Sequence, residues 1–423
     1  MKIGQVKKPG KDAFIINDTD LVRKILVDEV KQYPKHNFMY KMLEPLVGSS
    51  IFTTNGEVWE RQRRLVDAGF SQTRLRLAFP LMTAAVNAML DRMRLQATGD
   101  AFEIDGEMTH VTADIIFRTI LSEVLTEEEA QSIFKAFNDY QVYATRAVLL
   151  NTYHLPSYFS YRASKKAANK IRPVIAAVIR RRYAEQQQDE PPLYDDILAG
   201  MMAAEDPITH DRLSYEEMVD QVCTLFLAGH ETTASSLTWS MYLLSNCPHL
   251  QQQMLVELDA VAPNRPLEFE DIKKLNVTTN VFKETLRLYP PIGSYPREAT
   301  ADHCLRGKNI TLGSYVIIAP WLIHRHDEYW ESPHAFQPER FETEAGKASA
   351  KCAYLPFSKG ARVCTGQSFA MQEAILILAN MVRAFEIVRV DVHIPKPAGR
   401  MTIRPDNGVK IILKTRTPVS SLA

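Results

Sequence analysis

Two short strand-like runs, Lys2–Val6 and Ala13–Ile16, open the chain and are followed by LVRKIL, whose apolar spacing is helical and whose N-cap lies near Asp18–Thr19–Asp20. From about Val58 to Arg180 apolar residues recur every three or four positions through RRLVDAGF, LMTAAVNAMLDRM, ADIIFRTILSEVL and AANKIRPVIAAVIRRRYA, so this half is mostly helix. The polar run Gln186–Pro192 reads as an exposed connection too short to separate domains. Ser214–Glu217 fits a capping box, and the helix behind it stays apolar to Cys247, where Pro248 stops it after roughly 50 Å. Another helix is predicted over about Asp271–Leu288, ending at Pro290–Pro291. Short strands and loops follow to about Gly366, then a helix over Ser368–Arg383. The tail alternates in FEIVRV, RMTIR and VKIILKT, with Asn407–Gly408 as a turn.

The pattern predicts a mainly α protein with minor β in one domain, 1–423. β-rich parts fall at about 1–50 and 290–320, a helical core at about 55–290 and 320–386, and C-terminal strands at 387–415. Composition narrows the function classes. The 423 residues are 46% hydrophobic and 24% charged, which excludes a disordered or fibrous chain. Lys plus Arg equals Asp plus Glu at 50 each, so no net field attracts a polyanion, and nucleic-acid binding is not expected. Five scattered cysteines without a C-x-x-C pair suit a reducing compartment. With no signal-like start and no run long enough for a membrane span, a cytoplasmic protein is expected.

The sharpest chemical signal is Phe357–Ser358–Lys359–Gly360–Ala361–Arg362–Val363–Cys364–Thr365–Gly366, a glycine-bearing loop presenting one cysteine before a helix. Loop amides and a helix N-terminus lower a thiol's pKa, and Gly360 and Gly366 would let the backbone pass close to a flat partner. A small buried cysteine in a tight turn explains the same residues, so the loop alone does not decide. In LFLAGHETTASSLTW, Glu231 is an acid in an apolar helix, Gly229 removes a side chain where a ligand could approach, and the Thr232 hydroxyl can bond back to the helix or to water and open a kink. Glu284 and Arg287 share a helix face and with Arg340 can form a buried charged cluster.

The cysteine loop matches Phe-x-x-Gly-x-Arg-x-Cys-x-Gly and resembles the haem-binding loop of the cytochrome P450 superfamily of haem-thiolate monooxygenases. Other markers follow the family's order: Ala228–Gly229–His230–Glu231–Thr232–Thr233 resembles its oxygen-activation segment, Glu284–Thr285–Leu286–Arg287 its Glu-x-x-Arg pair, and Pro338–Glu339–Arg340–Phe341 the third charged partner. Trp59–Glu60–Arg61–Gln62–Arg63 is similar to an early Trp-x-x-x-Arg, and Arg297 stands where a propionate-binding arginine is usual.

The resemblance implies the cytochrome P450 fold, a long central helix crossing over haem b, and Cys364 as axial ligand of the iron. It further implies Trp59, Arg63, Ala228, Gly229, Arg297, Phe357, Gly360, Arg362 and Gly366 as haem contacts. Glu231 and Thr232 would pass protons, and Glu284, Arg287 and Arg340 would hold the core beneath the cysteine. His230 falls at a variable position and reads as a core or substrate-side residue. The implied reaction inserts one atom of dioxygen into a lipophilic molecule by hydroxylation or epoxidation, with a slight lean to a terpenoid or fatty acid. Phe38, Leu225, Ile292, Ser294 and Tyr295 are candidate pocket residues. Electrons would come from a separate ferredoxin or flavodoxin with its reductase, docking on a basic face of Arg61, Arg64, Lys347, Lys351 and Lys359. A peroxide-driven peroxygenase and a non-catalytic haem sensor or lipophilic-ligand carrier are the alternatives. The start of the chain reads as shortened against the family, which carries a proline-rich stretch and a helix ahead of the first strand.

Overall fold

Asp18 turns the chain from sheet into helix. Its carboxylate accepts the N–H groups of Asp20 and Leu21 at 3.0 and 3.1 Å, satisfying two donors that a helix start leaves open. In this computed structural model, which describes residues 2–7, 11–123, 127–152, 155–186 and 194–416, the strands Ile3–Val6 and Ala13–Ile16 pair antiparallel. Ala13–Ile16 also pairs parallel with Tyr315–Ile318, and Tyr295–Glu298 closes the far edge antiparallel. One four-stranded sheet is thus built from distant parts of the chain. Phe14, Ile16, Ile25, Val316 and Trp330 form a small core on it, separate from the main one.

The main core lies among the helices Gly56–Gly69, Gln72–Gln96, Asp105–Leu121, Glu127–Thr152 and Tyr158–Gln186, gathered around the central helix Tyr215–Ser245. Ser214 and Glu217 make the expected capping box, and the 31 residues extend roughly 46 Å. Pro248 does more than stop this helix, since it is the first residue of the next one, Pro248–Val261. Nearly every face of the central helix is buried, which explains its apolar character all round.

Two expectations change. The helix expected over Asp271–Leu288 is two helices, Phe269–Ile272 and Asn276–Leu288, because Glu257 from a neighbouring helix accepts the N–H groups of Val277 and Thr278 at 2.6 and 3.1 Å and caps a new start. A helix Glu344–Ala353 stands where loop was expected, capped by the Thr343 hydroxyl on the Gly346 N–H at 3.0 Å. The late helix runs Gln367–Ala384, and the tail strands Phe385–Arg389 and Lys410–Thr415 pair antiparallel. Most of the Gln186–Pro192 connection lies outside the described residues. No described helix is long and apolar enough to cross a membrane.

Candidate active site

The cysteine loop is fixed from within. The Cys364 N–H donates to the Phe357 carbonyl at 2.9 Å and the Val363 N–H to that of Gly360 at 3.0 Å. Gly360 is obligatory for a local reason: its φ is +74°, and a Cβ would stand 2.2 Å from the Leu26 carbonyl oxygen. Gly366 has ordinary φ, and its missing Cβ would meet only Phe70, at 4.0 Å. Gly360 is thus fixed by a protein neighbour, whereas the space beside Gly366 is open on the protein side. Solvent reaches Cys364, yet the surrounding protein raises its thiol pKa by burial, against the Gly366 N–H and Arg63, which lower it. The Gly366 amide lowers the thiol pKa as expected, while burial acts the other way.

Beside this loop cations gather, and only Arg63 among them has a carboxylate partner among the described residues. Arg63 donates to the Val363 carbonyl at 2.8 Å and pairs with Asp67. Arg362 donates to Asn55 at 3.0 Å and lies over the Trp59 ring at 4.3 Å. Arg297 donates to the Pro296 carbonyl at 3.0 Å. Nε and one terminal nitrogen of Arg362, and Nε of Arg297, are buried without a partner. The sequence reading missed a fourth cation. Lys35 points its ammonium at the Ile51 and Thr54 carbonyls, and its pKa falls well below the usual value through burial and the charges of Arg362, Arg297 and Arg63. Burial and Arg297 likewise push Arg362 down to about 10. Among the described residues no carboxylate hydrogen-bonds Lys35, Arg297 or Arg362. Buried positive charge in this state asks for an acceptor-rich anion, and the two propionates of a haem match it.

On the central helix every residue from Gln221 to Met241 is buried except Ala228, Gly229 and Thr232, which share one face. The Thr232 hydroxyl donates to the Ala228 carbonyl at 2.7 Å, the bond back to its own helix that was expected, and the helix runs unbroken through it. A Cβ on Gly229 would lie 2.6 Å from the end of the Ile116 side chain, so this glycine also serves helix packing. His230 is a core residue, packed between Phe137 and Phe226, with burial pushing its pKa down to about 4.

Glu231 does not serve as a free proton carrier in this arrangement. Arg404 grips both carboxylate oxygens at 2.8 and 2.7 Å, Thr402 donates at 2.7 Å and Gln141 at 2.7 Å. Burial alone would raise its pKa, but Arg404 outweighs burial and the net shift is downward. Four donors saturate the group and hold it ionised.

Glu284, Arg287 and Arg340 meet as expected. Arg287 grips Glu284 at 2.8 and 2.9 Å, and Arg340 adds a bond at 2.9 Å. The surplus positive charge is not left unpaired: Arg287 donates to the His324, Pro333 and Ala335 carbonyls, and Arg340 to that of Glu331. His324, unnoticed in the sequence, joins this cluster to the cysteine segment. Its Nδ1 bonds the Arg287 carbonyl at 3.0 Å and its Nε2 accepts the Leu355 N–H at 2.8 Å. Burial pushes its pKa down to about 3, so the ring is neutral.

Of the candidate pocket residues, Leu225 is buried, Ile292 is half-buried and Ser294 is exposed on a loop tied to Ile403 and Trp321. Tyr295 shares a strand face with Arg297, which lies over its ring at 5.5 Å. The side chain of Phe38 lies outside the described residues. Arg61 pairs with Glu217 and Arg64 with Asp206, so neither is a free docking charge.

Comparison with known proteins agrees with this geometry. A family model described as Cytochrome P450 matches residues 2–413. Cytochrome P450 4V2 of Rattus norvegicus is 31% identical, covering 93% of this chain and 78% of its own length. Pentalenene oxygenase of Streptomyces avermitilis is 29% identical over 96% of this chain and 88% of its own. A crystal structure of the cytochrome P450DA heme domain superposes with a TM-score of 0.87 at 25% identity, covering 99% of this chain and 90% of that one. With the cysteine loop, the unpaired cations and the accessible helix face in family order, the chain belongs to the cytochrome P450 family and is a haem b monooxygenase served by an external electron donor.

Proposed function

We propose that the protein hydroxylates or epoxidises a lipophilic small molecule, with a lean to terpenoid or fatty-acid substrates, using electrons from a separate ferredoxin or flavodoxin and its reductase. The observation that carries the reading is the uncompensated set Lys35, Arg297 and Arg362 beside the Cys364 loop. Haem b held by Cys364 supplies dioxygen activation and oxygen transfer. Lys35, Arg63, Arg297, Arg362 and the Trp59 N–H would hold its propionates. Ala228 and Gly229 leave room on the central helix, and Thr232 offers a hydroxyl there that can trade its Ala228 bond for a water and hand on a proton. Glu231 holds the helix in place through Arg404, and would need to break that grip to deliver protons.

The apolar or half-buried character of Leu225 and Ile292 favours a lipophilic guest, in keeping with the relative named pentalenene oxygenase. Lys351 and Lys359, near the cysteine loop and without carboxylate partners among the described residues, favour an acidic donor. The Cys364→Ala protein, reconstituted with haem, reduced and exposed to carbon monoxide, is expected to lack the thiolate-type Soret band; retention of that band ends the reading. The saturated Glu231 gives one reason to keep a peroxide-driven peroxygenase as second reading, and turnover with peroxide but not with reduced donor would favour it.

A further inference from the structure

A half-buried cation away from the cysteine loop also lacks an acid. Arg325 follows the short helix Pro320–Ile323, and its guanidinium lies over the Trp321 ring at 3.6 Å and 5.7 Å from that of Tyr289. One terminal nitrogen donates to the Trp321 carbonyl at 3.3 Å and the other to the Leu288 carbonyl. These bonds fix the group and use two of its five N–H donors. Among the described residues no Asp or Glu pairs with it. Burial, opposed by Tyr289 and helped by Arg287, pushes its pKa down to about 10.

Arg325 lines a cavity of about 380 Å³. Tyr242, Tyr289, Trp321 and Phe336 supply aromatic walls, and His334 adds a second polar group. The walls are held in place: Tyr289 stacks on Trp239 at 3.8 Å and meets Trp321 edge-on at 6.3 Å. A preformed aromatic surface takes a flat guest at little ordering cost. Roughly 150 Å³ suffices for one benzene, so two fused rings find room here. No carboxylate lines the cavity. Glu339, which after burial is the second cause of the raised Cys247 pKa on the wall, is itself exposed. Tyr242 and Asn246 lie roughly 15 and 21 Å along the central helix from Thr232, so this cavity is separate from the haem site.

We propose that this cavity is a binding site for an aromatic monocarboxylate of one or two rings, with its carboxylate on Arg325 and its rings against Tyr242, Tyr289 and Phe336. A planar carboxylate matches the guanidinium fork, and a flat apolar body matches the walls better than a small inorganic anion would. Occupancy needs neither dioxygen nor an electron donor, so its outcome is independent of the catalytic reading.

Calorimetric titration of the haem-loaded protein with 2-naphthoate, 2-naphthamide and octanoate tests this. Naphthoate is expected to bind, the amide at least ~5-fold more weakly because it brings no charge, and octanoate more weakly because it brings no ring. Arg325→Met should cut naphthoate affinity at least ~10-fold. Bound naphthoate should also slow alkylation of Cys247, while the exposed Cys304 and Cys352 react as before and the Soret band stays in place. No binding at millimolar acid, equal affinity for acid and amide, or a Soret shift without protection of Cys247 overturns the proposal. So does octanoate binding as tightly as naphthoate. The comparison of acid and amide uses the unaltered protein, so it decides even where Arg325→Met does not fold.

Discussion

Two buried arginine clusters in this protein have opposite characters. Around Glu284, each guanidinium is met by carboxylate or carbonyl oxygens, and the side chains of Glu284 and Arg287 are wholly inaccessible. Around Arg362, the guanidinium nitrogens outnumber their acceptors, and burial, with the neighbouring cations, holds the Lys35 pKa well below its usual value. Residue type does not separate them. Saturation does: the first cluster is finished by the protein, and the second leaves donors open among the described residues.

The contrast can be broken by substitutions of opposite sign. Glu284→Ala leaves two arginines facing each other in the core, and should cost the haem-free protein about 3–5 kcal/mol in denaturant unfolding. A smaller loss would mean that the cluster is less closed than its distances imply. Glu231→Gln, which leaves Arg404 underpaired, should cost about 2–3 kcal/mol. Because the folded pKa of Glu231 is lowered, its contribution is present above about pH 4.3 and fades as pH falls below that, so the variant's acid limb should be shallower.

His324 tests the closed cluster by titration. Its pKa is about 3 in the folded protein against about 6.5 in the unfolded chain, so protons bind only the unfolded state in that window. Stability from this residue is full above about pH 6.5 and declines toward pH 3, by up to ~1.4 kcal/mol per pH unit, and His324→Gln should flatten the decline. The smallest effect belongs to the open cluster. Lys35→Met should stabilise the haem-free protein by about 1 kcal/mol and yet weaken haem retention about tenfold, as measured by transfer to apomyoglobin. Loss of stability on that substitution would erase the distinction.

What could be read along the chain was what lies close together in it. The cysteine loop, the Glu284–Arg287 turn and the Ser214 capping box declare themselves within ten residues. Lys35, His324 and Gln141 carry no such local pattern, and their importance comes from partners brought in by folding. Thr402 and Arg404 did leave a trace: they alternate in RMTIR, and two polar residues on one strand face signal a buried partner. The packing of Gly229 against Ile116 was hidden because nothing in the sequence places Ile116 there. The turn that splits the helix after Ile272 was hidden because its cap, Glu257, sits on another helix.

The contact of Gly360 with Leu26 has a bearing on how the molecule is made. The cysteine loop closes against a segment synthesised near the beginning, and Arg63 reaches Val363 across 300 residues of sequence. Contacts of such separation form late, since so much chain must first be ordered between them. During translation the early segment therefore emerges long before its counterpart exists, and pigment capture becomes one of the last events in the life of a nascent chain.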